Sequence, residues 1–250
     1  MITMSPGHFG IGTGAVGLID EVEEAIKVVN EVARLLKAKG IEVHKVIDNT
    51  SKNKRDNLRF LQHAHASTSR QVDVFVHFNA TAKPEIRAIG TEVFYNKKEM
   101  EPLAKHLSQA ISEAAGFKNR GAKMHEQLYV LNTSSVGGVL LEICFVNSKQ
   151  DVKLYKQHFH AICFSIANEL QRFIVGQRTA NNLVQQFSSK TLAHTFQVLS
   201  EDNRLKQKIV QNAINEKVIQ PIWQQKLKQG TVTQFDVCAI SLLLLKKQIF

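Results

Sequence analysis

The segment VLLEICFVNSKQD, residues 139–151, is an apolar run broken by a single carboxylate, Glu142. A lone carboxylate buried among such neighbours costs several kcal/mol or takes up a proton. Two explanations are open: a core acid paired with a nearby Lys or Arg, or a carboxylate that does chemistry and needs partners elsewhere in the chain. The partners on offer are His8 in PGHFGIGTGAVG, His77 in VDVFVHFNA, and Glu21 in the acidic group Asp20, Glu21, Glu23 and Glu24. Imidazole and carboxylate are the usual thiolate-free ligands of a catalytic zinc site, which takes three protein ligands and keeps one position for water. Each candidate also has a structural reading. A single histidine more often packs or sits at the surface than binds metal, and acids are favoured in the first turn of a helix. Asn79 either orients His77 or ends its strand. His63 with His65, and His158 with His160, stand two apart on expected helices and point to nearly opposite sides, so neither pair can chelate.

Alternating strands and helices must position these groups. Residues 2–5 read as a short strand running into Pro6, Gly7 and His8. A helix over 20–39 carries Ile26, Val29, Val32, Ala33 and Leu36 on one face, holds Glu21 in its first turn and stops at Gly40. A strand near 42–47 and a helix near 53–66 follow. VDVFVHFNA is a strand with Asp73, Phe75, His77 and Asn79 on one face and Val72, Val74 and Val76 on the other. GTEVFYN, LYVLN and GGVLLEICFV are read as further strands, with a helix over 100–115 between the first two and a helix over 149–173 closing the unit. This alternation predicts an α/β domain with a largely parallel, buried sheet. Sites in such sheets collect at the carboxyl ends of strands, where His8 and His77 stand. Gly10, Gly12, Gly14 and Gly17 have near-dinucleotide spacing but do not open a helix directly, which argues against a nucleotide.

After about residue 175 the character changes. Residues 178–250 contain ten Lys/Arg and four Asp/Glu, a surplus of +6, and are rich in Gln. Ile209, Ala213, Ile214 and Val218 are spaced for an amphipathic helix ended by Pro221. Thr233 with Asp236 reads as a capping box for a last helix, FDVCAISLLLLKK. We therefore expect two domains, 1–175 and a small helical 178–250. The whole chain of 250 residues carries +10 with 44% hydrophobic and 22% charged residues, an ordinary folded composition. Its charge favours a polyanionic partner: nucleic acid, an anionic membrane or an anionic cell wall. No helix-turn-helix, zinc-finger or RNP-type motif supports nucleic acid, and no apolar run approaches the roughly 20 residues of a membrane span. The N-terminus MITMSPGHFG has neither a basic segment nor a hydrophobic core, so synthesis in the cytoplasm without a signal peptide is expected. Cys144, Cys163 and Cys238 have no CxxC spacing and read as reduced thiols.

The ordered set of GH with GTGAVG, an acid at the next helix start, VHFNA, and LLEICFVNSKQD resembles the zinc-dependent N-acetylmuramoyl-L-alanine amidases of bacteria and their phages. NRGAK at 119–123 and the segment around Glu142 look closest to the phage endolysin branch. The resemblance covers residues 1–174. It implies one zinc held by His8, Glu21 and His77, Glu142 as catalytic acid/base, and a six-stranded, mainly parallel sheet flanked by helices. It implies peptidoglycan as substrate, the amide between the muramic acid lactyl group and L-alanine as the bond cut, and action on the wall after release from the cell. A host spore or mother-cell wall hydrolase of the same family is the alternative, and a catalytically inactive wall-binding protein the other. The spacing from His8 to the helix acid is one residue shorter than in many members, which leaves Glu24 as a rival to Glu21; Glu21 keeps the family's distance to Gly40. The C-terminal segment lies beyond the resemblance, and cell-wall binding is its expected role, with anionic wall polymer a possible ligand.

Overall fold

The computed structural model describes residues 1–66, 70–82, 89–125, 127–186, 202–229, 232 and 234–249. The chain divides into two compact units, Met1–Val175 and Gly176–Phe250. The first is built on a six-stranded sheet of order β2-β1-β3-β6-β4-β5. Its strands are β1 (Ile2–Pro6), β2 (Val43–Lys45), β3 (Val72–Asn79), β4 (Thr91–Tyr95), β5 (Asn119–Met124) and β6 (Gly138–Phe145). β2, β1, β3 and β6 run parallel; β4 is antiparallel to β6, and β5 is parallel to β4. The central strands are buried along nearly their whole length, as expected where helices cover both faces.

Helices α1 (Glu21–Ala38), α2 (Lys54–Ala66), α3 (Glu101–Ala115) and α4 (Lys149–Gln186) complete this part of the chain, the unit boundary falling within α4. One sheet face carries the large core: Val72, Val74 and Val76 of β3 pack with Val28, Val32 and Leu36 of α1, Leu107 and Ile111 of α3, and Ile162 and Ile166 of α4. Val22, Ala25 and Val28 join Val29, Val32 and Leu36 on the inner side of α1, while Ile26 is only half-buried. Gly40 closes α1 with φ +72°, its N–H bonding Lys37 O and the Ile41 N–H bonding Leu36 O, both at 3.0 Å; such left-handed closure suits a residue without Cβ.

The opposite face has a smaller core of Val46, Leu61, Phe75, Val130, Leu131 and Leu140, to which α2 contributes. This core corrects one expectation. LYVLN is not a strand: it is a turn leading into a 3-10 helix at Leu131–Thr133, with the Asn132 N–H on Leu128 O at 3.1 Å. Its apolar residues are needed to cover the sheet, which is why they mimic a strand. The sixth strand is instead NRGAKM, a polar edge strand whose exposed and half-exposed positions hide the alternation. Charge along an edge also discourages pairing with another chain.

Asp151 ties β6 to the segment before β4. Its carboxylate accepts the N–H groups of Ile89 at 2.9 Å, Gly90 at 3.1 Å and Phe145 at 3.2 Å, and is fully buried. Cys144 and Cys163 are buried free thiols and Cys238 is half-buried; burial pushes the Cys163 thiol up to about 12, which leaves it unreactive.

The second unit contains α5 (Asn203–Asn215), α6 (Ile222–Lys228) and α7 (Gln234–Ile249) around Val210, Ala213, Val232, Val237 and Ile240. Asp202 caps α5 through the N–H groups of Arg204 and Leu205. The expected stop at Pro221 is wrong. α5 ends at Asn215, where Lys217 turns left-handed (φ +55°) and the Val218 N–H returns to Ala213 O at 2.8 Å. Pro221 instead precedes α6, where a missing N–H costs nothing. Thr233 of the proposed capping box lies outside the described residues. Among the described residues no helix is long and apolar enough to cross a membrane.

Candidate metal and catalytic site

The smaller core stops partway along the sheet, and polar residues continue the same face. Phe75, Leu140 and Phe94 form a row across β3, β6 and β4; one step toward the carboxyl end of β3, the next row is His77, Glu142 and Glu92. The register pairs His77 with Glu142 and Glu142 with Glu92. Glu142 is therefore not a lone acid in an apolar core but the middle member of a row of three ionisable residues.

His8 and Glu21 reach this row from β1 and α1. The β1 ladder extends one residue, the Gly7 N–H bonding Val76 O at 3.0 Å, and this delivers His8 beside β3. Asp20 closes the intervening loop: one carboxylate oxygen accepts Val22 N–H at 2.9 Å and Glu23 N–H at 3.0 Å, capping α1, and the other accepts Gly12 N–H at 2.8 Å. Glu21, 3% exposed, is held on both oxygens. Oε1 accepts the Phe78 N–H at 3.1 Å and lies 2.9 Å from His77 Nδ1; Oε2 accepts the Ala15 N–H at 2.6 Å and lies 3.6 Å from His8 Nε2. The glycines have a structural purpose here. A Cβ on Gly7 would fall inside the His77 ring, and one on Gly14 would lie 2.6 Å from Glu21 Oε2.

Ligand atoms of His8, Glu21 and His77 all lie within 4.8 Å of one another. Burial lowers His8, aided by the charge of His77. Burial alone would also lower His77, but its bond to Glu21 and the charges of Glu142 and Glu21 outweigh it and raise the imidazole. For Glu21, burial is outweighed by the same His77 bond, and its carboxyl is held low. Burial pushes Glu142 up from the usual 4.5 to about 7, with Glu21 and Glu92 adding to the rise and His77 opposing it. Two polar atoms here, His77 Nε2 and Glu142 Oε2, are buried without a hydrogen-bond partner among the described residues. Buried groups of this kind keep bonding capacity for a ligand or a reacting group. Two imidazoles and one ionised carboxylate fit a zinc ion by donor type.

Glu24 stands apart from this group. It accepts the Tyr155 hydroxyl at 2.9 Å and pairs with Lys27 at 2.9 Å, lining a groove between α1 and α4. Asn79 ends its strand, its Oδ1 accepting the Ala80 N–H at 2.8 Å, and its Nδ2 also donates to Glu92 Oε1 at 3.2 Å. Glu92, Arg120 and Lys123 are the neighbours of the site that sequence reasoning missed. A carboxylate inside TEVFY is the same anomaly that singles out Glu142, and it was the available signal. Ser5, His65 and Asp73 have the atom order of a nucleophile relay, with Ser5 Oγ 3.3 Å from His65 Nε2 and His65 Nδ1 2.9 Å from Asp73. All three are fully buried, so substrate cannot reach the hydroxyl, and the chain fastens α2 to the sheet.

The sheet order and the polar row at its strand ends define a site at the carboxyl end of a mainly parallel α/β sheet, with the donor set of a metal-dependent hydrolase. Residues 2–172 match the N-acetylmuramoyl-L-alanine amidase family, and the chain belongs to it. An uncharacterized protein of Clostridium perfringens is 30% identical over 160 residues, covering 62% of this chain and 47% of that protein. A probable cell wall amidase, LytH, of Staphylococcus saprophyticus is 24% identical over 191 residues, covering 75% of this chain and 58% of its own length. The solved catalytic domain of an endolysin targeting Clostridia difficile is 25% identical with a TM-score of 0.63, covering 68% of this chain and 96% of that one. The chain thus spans about half the length of the Clostridium perfringens relative it matches.

Proposed function

We propose that the protein is a zinc-dependent N-acetylmuramoyl-L-alanine amidase that cuts the amide between the muramic acid lactyl group and L-alanine in peptidoglycan. The observation that carries this reading is the row His77–Glu142–Glu92 set against His8 and Glu21. His8, Glu21 and His77 would hold the zinc, which when bound supplies Lewis acidity to the amide carbonyl and acidity to a water. Glu142, with one oxygen buried and without a partner among the described residues, takes the proton of the attacking water as the new C–O bond forms. It returns that proton to the alanine nitrogen as the C–N bond breaks. Glu21 keeps its charge through two backbone N–H groups, and Gly7 and Gly14 leave room for the ligands to close together.

The similarity to an endolysin catalytic domain supports a phage or prophage lysin released to the wall, with cell lysis as the outcome. The second reading, a host wall amidase, is favoured by the staphylococcal relative. For residues 178–250 we propose wall attachment: their surplus of +6 suits anionic wall polymer. Digestion of purified peptidoglycan tests the activity. Soluble peptide with new N-terminal alanine is expected; new reducing sugar ends would defeat the amidase reading in favour of glycan cleavage, and no release would leave the inactive wall-binding alternative.

A further inference from the structure

Three charged side chains beside the site take no part in the proton transfer just described. Glu92, 3% exposed, faces Glu142 across the β4–β6 ladder. Its charge is matched twice: Arg120 Nε donates to Oε2 at 3.1 Å and Lys123 Nζ donates to the same oxygen, while Asn79 takes Oε1. One carboxylate balances one cation, so the cluster carries one positive charge in excess.

The geometry of Arg120 gives the excess a direction. Its guanidinium lies over the Phe145 ring at 5.1 Å, and Phe145 closes the strand that carries Glu142, at the end where His77 stands. Nε is committed to Glu92, but neither terminal nitrogen has a protein acceptor among the described residues. The side chain is 30% exposed and that of Lys123 44%. A guanidinium fixed on its face by an aromatic ring and on its inner edge by a buried carboxylate presents its outer edge as a ready fork. Such forks match carboxylates in bidentate fashion.

We propose that Arg120, with Lys123 beside it and Glu92 as its clamp, is a specificity-determining residue that selects acidic peptides, binding a carboxylate close to the scissile amide. This rests on the amidase reading for the identity of the bond. The lactyl carboxyl of muramic acid is consumed in that amide, so the nearby carboxylates of the substrate lie on its peptide.

Two synthetic N-acetylmuramoyl dipeptides test this, identical except that the residue after L-alanine bears a free carboxylate or a carboxamide. Calorimetry with zinc-loaded Glu142→Gln protein reads binding without turnover. We expect the carboxylate ligand to bind roughly 10- to 100-fold tighter, the worth of a charge-assisted pair. Adding Arg120→Ala, or Arg120→Gln, which retains a donor for Glu92, should bring the two ligands within about threefold of each other. Wild-type kcat/KM should show the same preference and Arg120→Ala should abolish it. Equal binding of both ligands by protein with Arg120, or an equal loss for both on its replacement, would overturn the proposal. A carboxylate preference in binding with neither ligand cleaved by the wild type would uphold Arg120 and instead defeat the amidase reading.

Discussion

Glu142→Gln is expected to lower peptidoglycan turnover by roughly two to four orders of magnitude with zinc content unchanged. The amide keeps the shape of the side chain but cannot accept a proton from water. It also stands outside the His8, Glu21, His77 group, so on the proposed assignment zinc binding should not depend on it. Steady-state assay with metal analysis of the same sample separates these effects. The variant carries a second signature in metal-free protein. Folding raises the Glu142 carboxyl from 4.5 to about 7, so the folded state holds its proton more tightly and loses stability as pH climbs through that window. Above pH 7 the wild type bears the full penalty of a buried charge, and Glu142→Gln should be more stable by up to about 3 kcal/mol. Near pH 4 the difference should vanish. A variant that loses its zinc, or one that gains stability at pH 4 and none at pH 8, would contradict the assignment.

Glu21→Gln should behave differently, lowering zinc affinity, stability and activity together. Its oxygens accept N–H groups of Phe78 and Ala15, and a Gln amide would set an NH2 against one of these donors. The charge proposed to hold the dication would be lost as well. Even changes behind a ligand cost roughly 10- to 100-fold in metal affinity, and removing the ligand itself should cost at least that. Glu24→Gln, one turn along α1, should leave zinc untouched, since its partners are Tyr155 and the exposed Lys27. Competition with a chelating dye measures both variants. Loss of zinc in Glu24→Gln with retention in Glu21→Gln would move the third ligand to Glu24.

The parts of the fold that sequence disclosed share a cause. β3 and β6 are long apolar runs with isolated polar residues, and α1 repeats its apolar positions at helical spacing, so pattern and structure coincide. Edge elements do not obey that rule. NRGAKM forms β5 with little hydrophobic alternation because one side faces solvent, and LYVLN is apolar because it covers a small core. The same logic explains the site. His8, His77 and Glu142 stand out individually, and Glu21 stands out by its place at a helix start. Glu92 belongs to the set only through the antiparallel register of β4 on β6, which no local pattern specifies. The requirement for Gly7 and Gly14 likewise emerges only when His77 and Glu21 arrive from elsewhere in the chain.

Titration of metal-free protein with zinc, following bound metal and peptidoglycan hydrolysis together, tests the account most directly. Hydrolysis should rise in step with bound zinc, level off at about one ion per chain, and disappear again on chelation. Full hydrolysis by the metal-free protein, or a saturated single zinc site with no hydrolysis, would contradict it.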